Sequence, residues 1–340
     1  MTTDEGAPVA TFSVLGGSDV QTLLEGREKD VIEQVLAAYL THHAGGSVNP
    51  DSYFLRFPEK PDARIIALPA YLGGEVGVAG IKWISSFPGN VARGEPRASA
   101  VLVLNDYDTG RPIALLEAAG ISAARTAASA ALACTVLSDA RPATVGVVGG
   151  GVIARTLCQY LHAAGVPLAQ VRCHDLDPVS AGALTRHLRE RYGSDAREGD
   201  LAAALDCDLV LLATTAPVPY VSADHRFRAG QLVLNISLRD LAPETLLAAD
   251  NILDDVEHCL KANTSPHLAE QLTGGRDFVT GTLAGVLRGE VACRPDRPVV
   301  FSPFGLGVLD LAVGHWLYRQ GLEEGRLMPV PGFFGETRRW

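Results

Sequence analysis

A chain of 340 residues, 47% hydrophobic and 20% charged, is long enough for two domains and apolar enough to give each a core. Its net charge of −10, with Arg294 and Arg297 as a minor basic pair and no basic stripe, speaks against nucleic acid and anionic membrane surfaces as partners. The six cysteines are scattered without C-x-x-C spacing, mostly in apolar runs, and read as buried free thiols of a reducing, cytoplasmic compartment.

In chain order, residues 1–10 read as disordered, with no basic-then-apolar leader pattern. Ser18 is positioned to cap a helix over 19–24, and 28–39 reads as a longer amphipathic helix ended by Gly45-Gly46. Strands are predicted over 52–57, 64–70, 76–85, 98–105 and 112–117, separated by Pro/Gly/Asn/Asp turn signals, so the first third is strand-rich and mostly antiparallel. Residues 121–137 form an alanine-rich helix; Arg125 interrupts its apolar run, which reads as a packed helix and not as a membrane span. Beyond it, strands over 144–148, 170–174, 209–214, 232–236, 251–256 and 299–302 alternate with helices from 152, over 179–192 and near 201, and a helix over 306–319 closes the pattern. The fold class is therefore α/β: a Rossmann-type domain at 126–304 inserted in a discontinuous β-rich domain made of 1–125 and 305–340.

The segment TVGVVGGGVIA, 144–154, carries a dinucleotide fingerprint, G-x-G-x-x-A at Gly149, Gly151 and Ala154. Gly149 serves the tight turn, Gly151 a close approach of backbone to pyrophosphate, and Ala154 close packing of helix on strand. The amides of Gly150, Val152 and Ile153 then face the anion at the helix N-terminus. Asp175 ends the next strand 26 positions after Gly149, where an acid accepts hydrogen bonds from a ribose 2′-hydroxyl. Thr214 and Thr215, at the end of another parallel strand, are placed to line the cofactor.

Lys82 stands mid-strand in GIKWISSFPGN, either as a cation for a substrate carboxylate or as a snorkelling strand lysine. Arg125 opens the alanine-rich helix, suited to a bidentate carboxylate or phosphate contact or to a solvated helix face. Arg56 and Arg97 share this ambiguity. Asp240, in NISLRDLAPE, lies just past the carboxyl end of a parallel strand, where it is a general acid/base candidate or a turn and cap residue. The nine histidines show no metal-ligand spacing, and neither a G-x-S-x-G elbow nor a phosphate-binding P-loop is present, so no metal is expected. A dinucleotide site with cationic side chains points to hydride transfer on a carboxylate-bearing substrate.

Four segments, NDYDTGRPIALLEAAGISAARTAASA, GIKWISSFPGN, VGGGVIA and FSPFGLGVLDLAVG, resemble the ornithine cyclodeaminase/μ-crystallin family over about 51–318. The D-x-x-T-G-x-P pattern (Asp106, Thr109, Gly110, Pro112) and A-x-R-T-A-A (123–128) carry the resemblance. It is strongest to a branch whose members oxidise a secondary amine joining a 2,3-diaminopropionate unit to glutamate. The resemblance implies NAD as cofactor, a homodimer formed through the sheet of the first domain, and an amino-acid substrate with several carboxylates. It implies that Lys82 and Arg125, with Arg56, grip carboxylate and that Asp240 is the catalytic carboxylate. Where cyclodeaminases carry a G-x-D-like sequence this chain has Ser237-Leu238-Arg239-Asp240, which adds Arg239 as a carboxylate candidate and Ser237 beside the cofactor. Other members of the family are ornithine or lysine cyclodeaminases, alanine dehydrogenases, ketimine reductases and the non-catalytic ligand binder μ-crystallin.

Overall fold

The computed structural model describes residues 11–138 and 141–335. The disorder expected for residues 1–10 lies outside that range. The chain forms two compact units, one from Met1–Arg27, Ala44–Ser122 and Gly307–Trp340, the other from Glu28–His43 and Ala123–Leu306.

The chain begins with β1 (Ser13–Leu15), α1 (Gly17–Leu24) and α2 (Glu28–His43), then β2 (Ser47–Val48), β3 (Tyr53–Phe57), β4 (Lys60–Leu72), β5 (Val78–Ser86), β6 (Ala98–Asp106) and β7 (Pro112–Glu117). The cap of α1 is Gly16, without a side-chain hydrogen bond, and not Ser18, which lies inside the first turn. A division by sequence assigns 28–43 to the first domain, but α2 belongs to the second unit. Its buried residues Val31, Val35, Ala38 and Tyr39 supply the reason, since the Tyr39 hydroxyl meets Ser129 Oγ at 2.7 Å.

α3 (Ala119–Leu137) leads into β8 (Thr144–Val148), α4 (Val152–Ala163), β9 (Gln170–His174), α5 (Pro178–Tyr192), β10 (Asp195–Glu198), α6 (Leu201–Leu205), β11 (Leu209–Leu212) and β12 (Leu232–Asn235). There follow α7 (Pro243–Leu247), β13 (Asp250–Leu253), α8 (Val256–Cys259), α9 (Ser265–Thr273), β14 (Val279–Thr282), α10 (Leu283–Leu287), β15 (Val299–Ser302), α11 (Gly307–Glu323) and β16 (Met328–Pro329). α3 is long and apolar enough to match a membrane span by length and composition, but 72% of its apolar 18-residue stretch is buried inside the protein, as in a core helix. The strand expected over 251–256 stops at Leu253: the Asp254 carboxylate takes the Asp255 amide, and Asp255 caps α8 through the His258 amide.

In the first unit the sheet order is β16-β1-β7-β6-β5-β4-β2, with β3 on β4; β1 and β7 run parallel and the other pairs antiparallel. Cross-strand partners share a face. Lys82 pairs with Leu68 and Leu102, so these residues and Gly80 lie on one face, which α11 covers. A Cβ on Gly80 would meet Leu311 at 2.8 Å, and one on Gly314 would meet Leu102 at 2.2 Å, so the close crossing of helix and sheet needs glycine on both elements.

In the second unit all strands are parallel in the order β10-β9-β8-β11-β12-β15-β13-β14. Strands Leu209–Leu212 and Leu232–Asn235 are buried throughout, as strands covered on both faces must be. The chain order reverses between β8 and β11, and at such a switch point the carboxyl ends of the strands open a ligand crevice. This is a doubly wound Rossmann domain.

Candidate active site

At the switch point β8 runs into Gly149, whose φ of +100° lies in the left-handed region. A Cβ there would stand 2.4 Å from the Ala213 carbonyl, so only glycine makes this turn. At Gly150 a Cβ would meet the Ser180 backbone at 2.7 Å, whereas beside Gly151 there is open space. Gly151 is the N-cap of α4 and makes no side-chain cap, so the first amides of the helix, at Val152 and Ile153, are available to an anion. Val152 is exposed and Ile153 half-buried, while Ala154 is fully buried where the helix meets the sheet.

The Asp175 carboxylate accepts from the Gly150 amide at 2.6 Å and from the Asp177 amide at 2.8 Å. It is thereby fixed to the glycine turn at the end of β9. Asp177 caps α5 through the amides of Val179 and Ser180. Leu176, 96% exposed, and the exposed Val179 present apolar surface next to this acid, suited to the flat face of an adenine. A glycine turn with open helix amides, an acid fixed beside it and an apolar ledge together fit a dinucleotide.

Asp240 has no accessible surface. Its Oδ1 accepts from Thr214 Oγ1 at 2.9 Å, and its Oδ2 accepts from Tyr220 OH at 3.0 Å and from Ser237 Oγ. Burial raises its pKa, and the three hydroxyl donors and nearby Arg239 only partly oppose this. Burial and the Asp240 charge also raise the Tyr220 pKa. A carboxylate closed off by hydroxyls reaches a ligand through one of them and not directly. Ser237 Oγ also approaches the Leu212 carbonyl at 2.9 Å, so its hydroxyl is engaged inward, and Thr215 is exposed beside the half-buried Thr214.

The turn that carries Asp240 is unusual. Leu238 has φ +74°, and the Arg239 amide donates to the Ser237 carbonyl at 3.0 Å, the two-residue closure of a strained γ-turn. Arg239 Nη2 donates to the Ala262 carbonyl at 3.0 Å. Arg125, also in this unit, lays its guanidinium on the backbone at Gly305, where an added Cβ would meet Nη1 at 2.5 Å.

In the first unit Lys82 is only 2% exposed. Its Nζ lies 2.7 Å from Asp310 Oδ2 and 3.2 Å from Ser122 Oγ. The ammonium is thus held by a buried carboxylate and does not snorkel to water. Asp310 was not singled out by sequence, although a carboxylate in the apolar run GVLDLAVG has to find a partner. Arg56 pairs with Arg64 across β3 and β4, and Arg64 pairs with Ser86 across β4 and β5. Arg97 Nη1 donates to Ser86 Oγ at 2.9 Å, and burial lowers the Arg97 pKa. Arg64 and Tyr220 are the other residues that sequence reasoning missed. All six cysteines are free thiols, five of them buried. Among the described residues no group of three or more His, Cys, Asp or Glu is placed to hold a metal.

The sequence matches the Ornithine cyclodeaminase/mu-crystallin family over residues 14–325. It is 29% identical over 322 residues to the N-((2S)-2-amino-2-carboxyethyl)-L-glutamate dehydrogenase of Staphylococcus aureus, covering 91% of this chain and 95% of that protein. It is 30% identical to the NAD(P)H-dependent anabolic L-arginine dehydrogenase of Pseudomonas aeruginosa, over 85% and 92% of the two chains. The structure superposes on the Δ1-pyrroline-2-carboxylate reductase of Thermococcus litoralis, crystallised with NADH and L-proline, with a TM-score of 0.86 at 25% identity, covering 94% of this chain and all of that one. With the glycine turn, the tethered Asp175 and a match along nearly its whole length, the chain belongs to the ornithine cyclodeaminase/mu-crystallin family.

Proposed function

We propose that the protein oxidises N-((2S)-2-amino-2-carboxyethyl)-L-glutamate to 2-oxoglutarate and L-2,3-diaminopropionate. At the coarser level it is an NAD-dependent oxidoreductase of amino-acid C–N bonds. We place it in the cytoplasm and acting as a homodimer. The observation that carries the substrate is the supply of guanidinium groups. Arg56 and Arg97 make no ion pair with a carboxylate among the described residues, and Arg125 and Arg239 add two more cations. One α-carboxylate needs one such group; the conjugate carries three carboxylates.

Bound NAD⁺ supplies the hydride acceptor. The Cα–H of the glutamyl unit leaves as hydride, its nitrogen loses a proton, and the C–N bond becomes an imine. Water adds to the imine carbon, and cleavage of the C–N bond releases the amine and the ketone. The arginines orient the Cα–H by holding carboxylates. Lys82, its charge balanced by Asp310, forms the inner end of the cationic face of the first unit. Asp240 takes up and returns protons through the hydroxyls of Thr214 or Tyr220, each able both to donate and to accept. Ornithine, with one carboxylate and a second ammonium, calls for an open acid, and the buried Asp240 does not provide one.

Purified protein, NAD⁺ and the conjugate, with NADH and both products followed together, test this. Equal amounts of NADH, diaminopropionate and 2-oxoglutarate are expected, with little proline or ammonia from ornithine. Ammonia release from ornithine faster than turnover of the conjugate would make this a cyclodeaminase instead.

A further inference from the structure

β13, β14 and β15 run parallel, so the segments that lead into them gather at the amino edge of the second sheet, opposite the nucleotide crevice. There the end of α7 and the loops before β14 and β15 frame a cavity of about 370 Å³, the size of a small-molecule site. Arg294 and Asp277 both line it. Arg294 is anchored from behind: its Nε and Nη2 donate to Oδ1 of the fully buried Asp250 at 3.0 and 2.5 Å, and its main-chain amide donates to Oδ2 at 2.6 Å. Nη1 of the same guanidinium donates to nothing among the described residues. The Asp277 carboxylate is exposed and makes no hydrogen bond or ion pair among them. Two opposite charges thus line one cavity without meeting each other. Arg297 does not fill the gap, because its Nε and Nη2 donate to the carbonyls of Ala248 and Leu247 at 3.1 and 2.7 Å. The Thr280 hydroxyl, also in the lining, accepts from the Asn251 amide at 3.0 Å and keeps its proton for another acceptor. Exposed Leu247 and half-buried Phe278 add apolar wall.

We propose that this cavity is a second ligand site, for a zwitterionic α-amino acid with an apolar side chain. The ligand carboxylate takes Arg294 Nη1 and the Thr280 hydroxyl, its ammonium takes Asp277, and its side chain lies on Leu247 and Phe278. A simple anion leaves the Asp277 charge facing it, and a simple amine faces Arg294; a molecule carrying both charges satisfies both. Asp250 already fixes the guanidinium, so little side-chain order is lost on binding. The strands between the two edges of the sheet are four residues long, about 10 Å. A molecule at the amino edge therefore does not touch the nucleotide or the reacting atoms, and it is an effector and not the substrate. The site stands whether or not the conjugate is what the enzyme oxidises.

The test is calorimetric titration of the NADH-loaded protein with L-leucine, with isocaproate, which lacks the ammonium, and with isoamylamine, which lacks the carboxylate. L-Leucine is expected to bind with a Kd below about 1 mM, and the two half-molecules at least about tenfold more weakly. Asp277→Asn, at an exposed position, should fold as the parent does, weaken leucine by about tenfold and leave isocaproate within about threefold. Arg294→Lys keeps a cation beside Asp250 but loses the outward nitrogen, and should weaken leucine and isocaproate together. Arg125→Gln, away from the amino edge, should leave leucine affinity unchanged. Absence of leucine binding at millimolar concentration overturns the site. So does leucine affinity that survives Asp277→Asn and falls in Arg125→Gln, which puts the amino acid in the crevice instead. Isocaproate binding as tight as leucine, and untouched by Asp277→Asn, overturns the zwitterion assignment.

Discussion

Lys82 Nζ and Asp310 Oδ2 lie 2.7 Å apart, with side-chain exposures of 2% and 0%, in the packed layer between β5 and α11. Two charges out of water hold each other there, and removing one takes the countercharge from the other while it stays buried. Asp310→Asn and Lys82→Ala are each expected to cost about 3–5 kcal/mol of folding free energy, and Lys82→Met with Asp310→Leu markedly less than the sum. Urea denaturation followed by circular dichroism reads this directly. Single variants within about 1 kcal/mol of the parent would mean that water or another group relieves the pair. In the fraction that folds, Lys82→Ala should lower turnover strongly and leave NADH affinity nearly intact, because the nucleotide turn lies in the other unit.

Much of the frame follows from local chemistry. β7, β8, β9 and β15 occupy the predicted residues, because apolar β-branched runs bounded by Gly, Pro or Asp leave little choice. β10, with sequence DARE, and β14, with VTGT, gave no such signal: one is an edge strand with three exposed residues and the other is half-buried throughout. The glycine turn with Asp175 was readable because its spacing is local. Which cations meet was not. Arg64 joins Arg56 and Arg97 only through the register of three strands, and Asp310 reaches Lys82 from more than 200 positions away. Tyr220 sits in a loop without periodicity, and only the folded turn brings its hydroxyl to Asp240.

That hydroxyl gives a prediction about pH. Burial holds the Asp240 pKa above its ordinary 3.8, and the Ser237, Thr214 and Tyr220 hydroxyls each pull it down. In the proposed mechanism the ionised carboxylate is the proton acceptor, so kcat/KM should fall as pH drops through this raised value. Tyr220→Phe removes one donor to the charged form, and the acidic limb should move to higher pH. Asp240→Asn should lose about 10²–10⁴-fold in turnover with NADH affinity little changed. Near-normal turnover in Asp240→Asn would reduce the residue to a turn former; an unmoved limb in Tyr220→Phe would uncouple the tyrosine from the proton step.

The tether on Asp175 bears on cofactor choice. Both carboxylate oxygens are fixed by backbone amides, at 2.6 and 2.8 Å, so the acid cannot swing away from a 2′-phosphate. Like charges brought together cost several kcal/mol, so NAD⁺ should exceed NADP⁺ by about 10²-fold or more in kcat/KM. Asp175→Ser should narrow that ratio by at least about tenfold, mostly through better use of NADP⁺. Comparable efficiency with both cofactors in the parent enzyme would contradict the assignment of Asp175 to the ribose.

The last prediction concerns the other face of the first sheet. Trp83 pairs with Ala67 and Val101, Tyr53 with Ala67, and Leu55 with Ile65, so all of these lie opposite Lys82. Trp83 is 42% exposed, Val101 37%, Leu55 47% and Tyr53 71%. On a sheet whose Lys82 face is covered by α11, this is a contiguous apolar surface where a monomer would place polar residues. In the proposed homodimer a second copy of the same face would cover it by an isologous contact, with Trp83 near the centre as the aromatic anchor. Sedimentation equilibrium at micromolar concentration should give twice 35.9 kDa. Trp83→Asp with Val101→Asp should give 35.9 kDa species that still bind NADH, because the second unit holds the nucleotide turn. If those variants remain dimeric, the contact lies elsewhere. If the parent protein sediments as a monomer, the apolar face is covered by some other partner and the homodimer proposal fails.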